Sequence, residues 1–192
     1  MNQHARIAPE PGPHRFTRQE ALRLSEADVF GGRRFELLNG DIYLVPGEGL
    51  LHQGLRERLV KLLYEHIFAH RLELTVSSNG PIRLSDYQEP EPDIYVRPAS
   101  LKLDQVGGAE ALLVIEICVS TQEKDFEVKP PIYAAHGVRD YWLIEPEQRR
   151  SFVRRGPQAD GSWAEEREIA AEAPIAALLI PGFALTLGEL SA

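Results

Sequence analysis

Apolar side chains recur every four residues between positions 51 and 67. The set consists of Leu51, Leu55, Leu59, Leu63 and Ile67, while Gln53, Glu57 and Lys61 fall on another face. This spacing is typical of an amphipathic helix. The pattern therefore predicts one long helix over residues 50–71, with a single face turned toward a core.

Elsewhere the apolar positions come in short runs that favour strands. The runs cover residues 34–38, 41–45, 74–78, 81–84, 93–97, 111–119, 141–145, 150–155 and 162–170. Asn39-Gly40 separates the first two runs and predicts a tight hairpin turn. The sequence from Thr17 to Glu20 fits a capping box that opens a helix ending near residue 27. Pro131 fits the first turn of another helix, with Gly137 as its stop.

This order of strands and helices predicts a single α/β domain over residues 16–192, preceded by a flexible tail over residues 1–15 with three prolines. A chain of 192 residues with 43% hydrophobic and 26% charged residues is ordinary for a globular domain. No apolar run is long enough to cross a membrane, and none follows the N-terminal basic residues. With Cys118 as the only cysteine, we expect a cytoplasmic protein without disulfides.

The net charge of −8 acts against tight non-specific binding to nucleic acid, but a bound cation would offset it locally. Glu116 lies inside an apolar run, where an unpaired carboxylate is costly to bury. Asp93 opens another run, and both could join one Mg²⁺ site with Glu36 from the first hairpin. Taken singly, each can also be a solvated strand residue, a turn residue or a paired carboxylate.

Several ordered motifs resemble one known family. They are Arg34-Phe35-Glu36-Leu37-Leu38-Asn39-Gly40-Asp41, Glu91-Pro92-Asp93-Ile94, Leu113-Val114-Ile115-Glu116-Ile117, Lys129-Pro130-Pro131-Ile132-Tyr133-Ala134-Ala135-His136-Gly137-Val138-Arg139-Asp140-Tyr141-Trp142 and Pro181-Gly182-Phe183. Over residues 16–190 the chain is similar to the Uma-type restriction endonucleases of the PD-(D/E)XK nuclease superfamily. The resemblance implies a mixed central sheet flanked by helices, with an extra N-terminal hairpin.

The same resemblance implies Mg²⁺- or Mn²⁺-dependent hydrolysis of phosphodiester bonds in DNA. It implies that Glu36, Asp93, Glu116 and Lys129 are the catalytic residues. The metal ligands would be Asp93, Glu116 and the carbonyl of Ile117. His52 and Lys124 are accessory candidates.

One departure concerns the superfamily lysine, which stands two residues after the second acid. Cys118 occupies that position here, and the segment that follows is one residue shorter than in the family. The Uma-type group commonly carries its lysine further along, which here is Lys129, with Lys124 as the alternative. Three functions stay open: a DNA endonuclease, an inactive nuclease-fold module that binds nucleic acid or protein, and a metal-dependent hydrolase of another substrate. A homodimer is expected by analogy with enzymes that make two cuts on a duplex.

Overall fold

The computed structural model of the protein describes residues 12–119 and 124–190, without the side chains of residues 124 and 125. Most of the predicted tail, residues 1–15, lies outside these residues. The division into a tail and one domain therefore stays a prediction.

The chain forms ten strands and four α-helices in the part that the structure describes. In order they are α1 (Arg18–Glu26), β1 (Phe35–Leu38), β2 (Asp41–Leu44), α2 (Leu50–Ala69), β3 (Leu74–Ser78), β4 (Ile94–Pro98), β5 (Leu113–Ile117), α3 (Lys129–Ala135), β6 (Asp140–Glu145), β7 (Arg150–Pro157), β8 (Trp163–Ala170), β9 (Ile175–Ala176), β10 (Ala184–Leu185) and α4 (Leu187–Leu190). The long helix, the first hairpin and the strands around Asp93 and Glu116 are confirmed.

A six-stranded sheet in the order β3-β4-β5-β6-β7-β8 forms the centre of the fold. Only β5 and β6 run parallel, and every other neighbouring pair is antiparallel. A parallel pair needs a crossover, which α3 provides here. The sheet is thus mixed, as predicted, and the β1-β2 hairpin is a separate two-stranded sheet.

The two faces of the central sheet bury different apolar clusters. Side chains alternate along a strand, so Ile94 and Val96 of β4 face the cluster that contains the apolar stripe of α2. Tyr95 faces the opposite cluster, which contains Tyr133 of α3. In β5, Val114 belongs to this second cluster, so Glu116 two residues later points to the α3 side.

The turn at Asn39-Gly40 has the geometry that its sequence predicts. Asn39 has φ +55° and Gly40 has φ +79°, which fits the two left-handed central residues of a type I′ turn. A Cβ atom at Gly40 would lie 2.8 Å from the Cβ of Arg15, so glycine is also required by this close approach. The turn fixes the register of β1 and thereby the direction of Glu36.

Two predicted local structures are wrong. Residues 81–84 form no strand, because Pro81 and the facing Pro90 lack the N–H groups of a regular ladder; only isolated bonds form, including Ile82 N to Pro90 O at 2.9 Å. The charged residues at 123–127 predict a solvated loop from the sequence, but Lys124–Val128 is a π-helical turn. Pro130 and Pro131 cannot donate to the preceding turn, which interrupts a regular α-helical ladder there.

Candidate active site

The pairing of β4 with β5 brings the two predicted acids together. Ile94 is opposite Ile115 in this antiparallel pair, which sets Asp93 opposite Glu116. The Asp93 N–H donates to Glu116 Oε2 at 3.3 Å. The Ile117 N–H in turn donates to Asp93 Oδ2 at 2.7 Å. The backbone of each strand therefore orients the carboxylate of its neighbour.

Lys129 enters this site from the first turn of α3. Its Nζ lies 3.0 Å from Glu116 Oε1 and 2.9 Å from Glu36 Oε1. Glu36 also accepts the Glu91 N–H at 3.0 Å. Three of the predicted residues thus meet at one ammonium group, and the fourth, Asp93, is hydrogen-bonded to Glu116 through its backbone.

All three members of this ion cluster are buried. Lys129 is 4% exposed, Glu116 2% and Glu36 1%. Charges removed from water are tolerated only when they are paired and hydrogen-bonded. Among the described side chains, two carboxylates and one ammonium meet here, and such an acidic group is suited to a further cation nearby.

Tyr133 completes the surroundings of Glu116. It lies four residues after Lys129 on α3, so both side chains share one helix face. Its hydroxyl donates to Glu116 Oε1 at 2.9 Å. Burial raises the pKa of the Tyr133 hydroxyl well above its ordinary value, and the nearby Glu116 carboxylate adds to this effect. The hydroxyl therefore keeps its proton and acts as a donor.

A second group of side chains lies on the other side of Asp93. His52, in the first turn of α2, places Nε2 at 3.1 Å from Asp93 Oδ2 and Nδ1 at 3.6 Å from Glu48 Oε2. The hydrogen bond to Asp93 raises the pKa of His52 above its ordinary value, and burial opposes this. The imidazole is thus tied to the central carboxylate.

A cleft of about 250 Å³ is lined by Glu36, Glu48, His52, Asp93, Glu116 and Lys129. Its walls come from β1, the segment between β2 and α2, the first turn of α2, the start of β4, the end of β5 and α3. Arg34 stands at the cleft, where it donates to Glu91 from Nε at 2.9 Å. Burial raises the pKa of Glu91, and the Arg34 guanidinium opposes that change.

The donor set fits a hard divalent cation. Mg²⁺ and Mn²⁺ favour a small number of carboxylates completed by waters, and Asp93 and Glu116 supply such oxygens at adjacent strand positions. Glu48, His52 and Asp93 form a second group that could hold a cation, because one ligand atom from each lies within 4.8 Å of the other two. Around an ion with bonds of about 2.1 Å, ligand atoms are roughly 3–4 Å apart. These three side chains would therefore have to move only slightly closer together.

The sequence matches a family model over residues 18–188, and the description of that family is "Uma2: Putative restriction endonuclease". The chain belongs to this family. A similar solved structure is described as "a putative nuclease belonging to DUF820 from Anabaena variabilis ATCC 29413". It has a TM-score of 0.72 and 21% identity, over 91% of this chain and 97% of that one. No curated protein matches.

These matches confirm the family resemblance and the predicted nuclease-type fold. The Uma2 family model covers every residue of the site described above. Within the described residues, no helix has the length and apolar character needed to cross a bilayer.

Of the accessory candidates, the structure brings His52 into the site. The side chain of Lys124 lies outside the described residues. Ile117 lines the cleft, and its N–H is the group seen in contact with Asp93. Cys118 is buried on the same sheet face as Glu116, among the cluster that contains Tyr133.

Sequence reasoning missed two participants. The sequence favours Tyr133 as a core residue, and it is fully buried, but its hydrogen bond to Glu116 was not foreseen. Its spacing of four from Lys129 on a helix was the available signal. Glu48 lies in an irregular segment, and its role depends on how that segment approaches α2. Its spacing of four from His52 was the only hint.

Proposed function

We propose that this Uma2-family protein is a Mg²⁺- or Mn²⁺-dependent endonuclease that hydrolyses phosphodiester bonds in DNA. The observation that carries the proposal is the buried Lys129 ammonium shared by Glu36 and Glu116, with Asp93 beside them at an open cleft. A metal-assisted hydrolase needs carboxylates that can hold a cation beside a cleft that admits the substrate, and this arrangement offers both.

Asp93 and Glu116 are the proposed metal ligands, with the carbonyl of Ile117 as a third. A divalent cation at this position supplies an activated water and stabilises charge on the phosphate. Asp93 is held for this role by the Ile117 N–H, and Glu116 by the Tyr133 hydroxyl. The two carboxylates are therefore oriented before any cation binds, which reduces the cost of binding.

Lys129 is the proposed counterpart of the superfamily lysine. The position of Cys118 shares the face of Glu116, so a lysine there would reach the same site; in this chain the ammonium comes from α3 instead. An ammonium between two carboxylates favours its charged form. Lys129 is thus assigned to stabilising charge that develops on the phosphate, rather than to removing a proton.

The experiment is a cleavage assay on plasmid and single-stranded DNA with Mn²⁺, Mg²⁺ or EDTA. We expect cleavage that requires the metal and that falls by roughly 100-fold or more in Glu116→Gln, since one charged group at the reacting centre contributes on this scale. Lys124→Ala is the matched lysine variant and should change turnover little. Loss of cleavage in Lys124→Ala, with cleavage retained in a folded Lys129 variant, would reverse the lysine assignment.

A second candidate is a catalytically inactive nuclease-fold module that binds nucleic acid or protein. It is favoured by the 4% exposure of Lys129, whose ammonium is occupied by two carboxylates. Metal binding without cleavage of any DNA substrate would support this function.

We further propose a homodimer, on the analogy of two-fold enzymes that cut both strands. We also propose that the protein works in a reducing cytoplasm, in keeping with the single cysteine. The molar mass in solution tests the dimer.

A further inference from the structure

Glu48 occupies an unusual position at the mouth of the cleft. It stands between Gly47 and Gly49 in the irregular segment that joins β2 to α2. A Cβ atom at either glycine would meet no atom within 4 Å, so the backbone on both sides has room to turn. The residue is exposed overall, yet its side chain is only 22% exposed because it folds back against neighbours.

Those neighbours are three basic side chains, of which His52 and Arg56 belong to α2 and Arg34 stands directly before β1. Arg56 of α2 donates to Glu48 Oε2 in a short contact. Arg34 places Nη1 at 3.9 Å from Glu48 Oε1, and His52 Nδ1 is 3.6 Å from Oε2. Three basic groups thus surround one carboxylate, with a hydrogen bond from Arg56 and longer ion-pair contacts from Arg34 and His52. They form an anion site that the protein fills with its own side chain.

The start of α2 adds to the positive character of this site. Gly49 is the N-cap and offers no side-chain acceptor, and the first turn contains no acidic residue. The N–H groups of a helix's first turn carry partial positive charge and have no partner within the helix. This supports the anion site that the arginines define.

The anion site lies where the candidate active-site cleft adjoins a second recess. Arg34 and Glu48 line both, while Arg56 and Asn79 line the second one only. Asn79 Oδ1 accepts from Arg56 at 3.1 Å, and the Asn79 N–H donates to the Asp93 carbonyl at 3.2 Å. The recess is therefore tied through the backbone to the proposed metal ligand.

We propose that Arg34, Arg56 and His52 bind a backbone phosphate of the nucleic-acid substrate, and that Glu48 occupies this site until the phosphate displaces it. The inference rests on the proposed function and names the substrate contact of that same cleft. A phosphodiester carries one negative charge and bare oxygens, as the Glu48 carboxylate does, so it can accept the same donors.

A cation at Glu48 is the competing assignment, because Glu48, His52 and Asp93 could form a metal site. The two arginine charges beside Glu48 oppose it. The two assignments predict different results for Glu48→Gln. If Glu48 competes with phosphate, the variant binds DNA more tightly in EDTA; if Glu48 is a metal ligand, the variant loses Mn²⁺ affinity.

The test measures the affinity of a DNA duplex in EDTA, where the arginine contacts act without metal. Glu48→Gln should raise affinity by roughly fivefold, the scale of one surface charge interaction at contact distance. Arg34→Gln and Arg56→Gln should each lower affinity and reduce the slope of log affinity against log salt by about 1, as expected for one lost phosphate contact. Arg58→Gln, on α2 but outside both recesses, and Glu65→Gln are the matched controls.

Three outcomes would overturn the inference. The first is unchanged or lower DNA affinity in Glu48→Gln, especially with a loss of Mn²⁺ affinity by calorimetry. The second is an equal effect of Arg58→Gln on the salt slope. The third is displacement of the duplex by inorganic phosphate at equal phosphate concentration, which would assign the site to free phosphate.

Failure of the nuclease proposal would look different. A protein that shows the expected affinities but never cleaves DNA contradicts the proposed activity and leaves the phosphate site intact. A protein that cleaves DNA while Glu48→Gln and Arg34→Gln bind like wild type contradicts the phosphate site alone. Glu48 lies in an exposed segment between two glycines, so Glu48→Gln should fold normally. Its change in DNA affinity can therefore be measured even if an arginine variant folds poorly.

Discussion

Lys129 carries a charged group in a buried position, since it is only 4% exposed. From the sequence, Lys129 is expected to act in catalysis. Its position between Glu36 and Glu116 implies a role in stability as well, because both buried carboxylates lose a neighbouring positive charge when the ammonium is removed. The Lys129 ammonium therefore belongs to the candidate site and also contributes to the stability of the fold.

We predict that Lys129→Met lowers the free energy of unfolding by about 3–5 kcal/mol, the scale of breaking a buried ion pair. The double variant Glu36→Gln/Lys129→Met should recover part of this loss, because one unpaired charge is removed with the ammonium. Urea unfolding of both variants measures the effect. Lys61→Met, at an exposed ion pair of α2, is the control and should change stability by less than about 1 kcal/mol. A Lys129→Met protein as stable as the control would contradict the burial of charge.

We also predict a specific effect of Tyr133→Phe, which removes only the hydroxyl that donates to Glu116. A lost hydrogen bond to a charged group costs about 1.5–3 kcal/mol. If the hydroxyl orients Glu116, Mn²⁺ affinity measured by calorimetry should also fall, which loss of packing alone would not cause. Tyr141→Phe, in the same apolar cluster, is the comparison. Equal Mn²⁺ affinity in wild type and Tyr133→Phe would show that Glu116 needs no such support.

The sequence identifies a site residue when its role depends on a known motif or on neighbours in the chain. Asp93, Glu116 and Lys129 are identified because their motifs resemble a family, and the register of β4 and β5 then brings the two acids together. Physical reasoning alone identifies Glu116 as unusual but does not supply its partners. Glu48 could not be predicted as the centre of three basic groups, since these contacts depend on how the irregular segment before α2 folds back against the helix and against Arg34.

At the scale of elements, the clearest local signal is the start of α1. The Thr17 N–H donates to Glu20 Oε2 at 2.8 Å, and the Glu20 N–H donates to Thr17 Oγ1 at 3.3 Å. This reciprocal pair is the capping box that the sequence predicts. Where side chains pair within a few residues, the sequence predicts the local structure. At residues 81–84 the prediction failed, because regular pairing depends on which segment lies opposite, and Pro81 and the facing Pro90 lack N–H groups.

The capping box makes a prediction that depends on pH. The hydrogen bond from the Thr17 backbone lowers the pKa of Glu20 below its ordinary value of 4.5. A lowered pKa in the folded state means that Glu20 contributes stability above pH 4.5, and that this contribution is lost as pH falls through the folded pKa. Glu20→Gln should thus be less stable than wild type near neutral pH, and the difference should shrink in acid. Thr17→Ala should cost about 1 kcal/mol at neutral pH. A constant difference for Glu20→Gln in urea unfolding across this range would contradict the assignment.

At the scale of the whole molecule, charge is the main constraint on function. A net charge of −8 repels nucleic acid at long range, and the cleft itself holds Glu36, Glu48, Glu91, Asp93 and Glu116. The basic groups near them are already paired with these acids. A divalent cation at Asp93 and Glu116 would offset this acidity at the reacting phosphate, and the same cation would relieve repulsion within the fold.

It follows that Mn²⁺ should stabilise the folded protein, because it binds the native cluster of carboxylates and has no such site in the unfolded chain. At a Mn²⁺ concentration about 100 times the dissociation constant, the gain is about 2.7 kcal/mol. For a domain of this size it corresponds to a rise in melting temperature of roughly 5–10 °C. Asp93→Ala should abolish the rise, because Asp93 adjoins both Glu116 and His52. Asp41→Ala, at an exposed strand residue outside the cleft, should retain it. The melting temperature is measured by calorimetry or fluorescence with and without Mn²⁺. If Mn²⁺ leaves it unchanged in both wild type and Asp93→Ala, the result would count directly against a metal site at these residues.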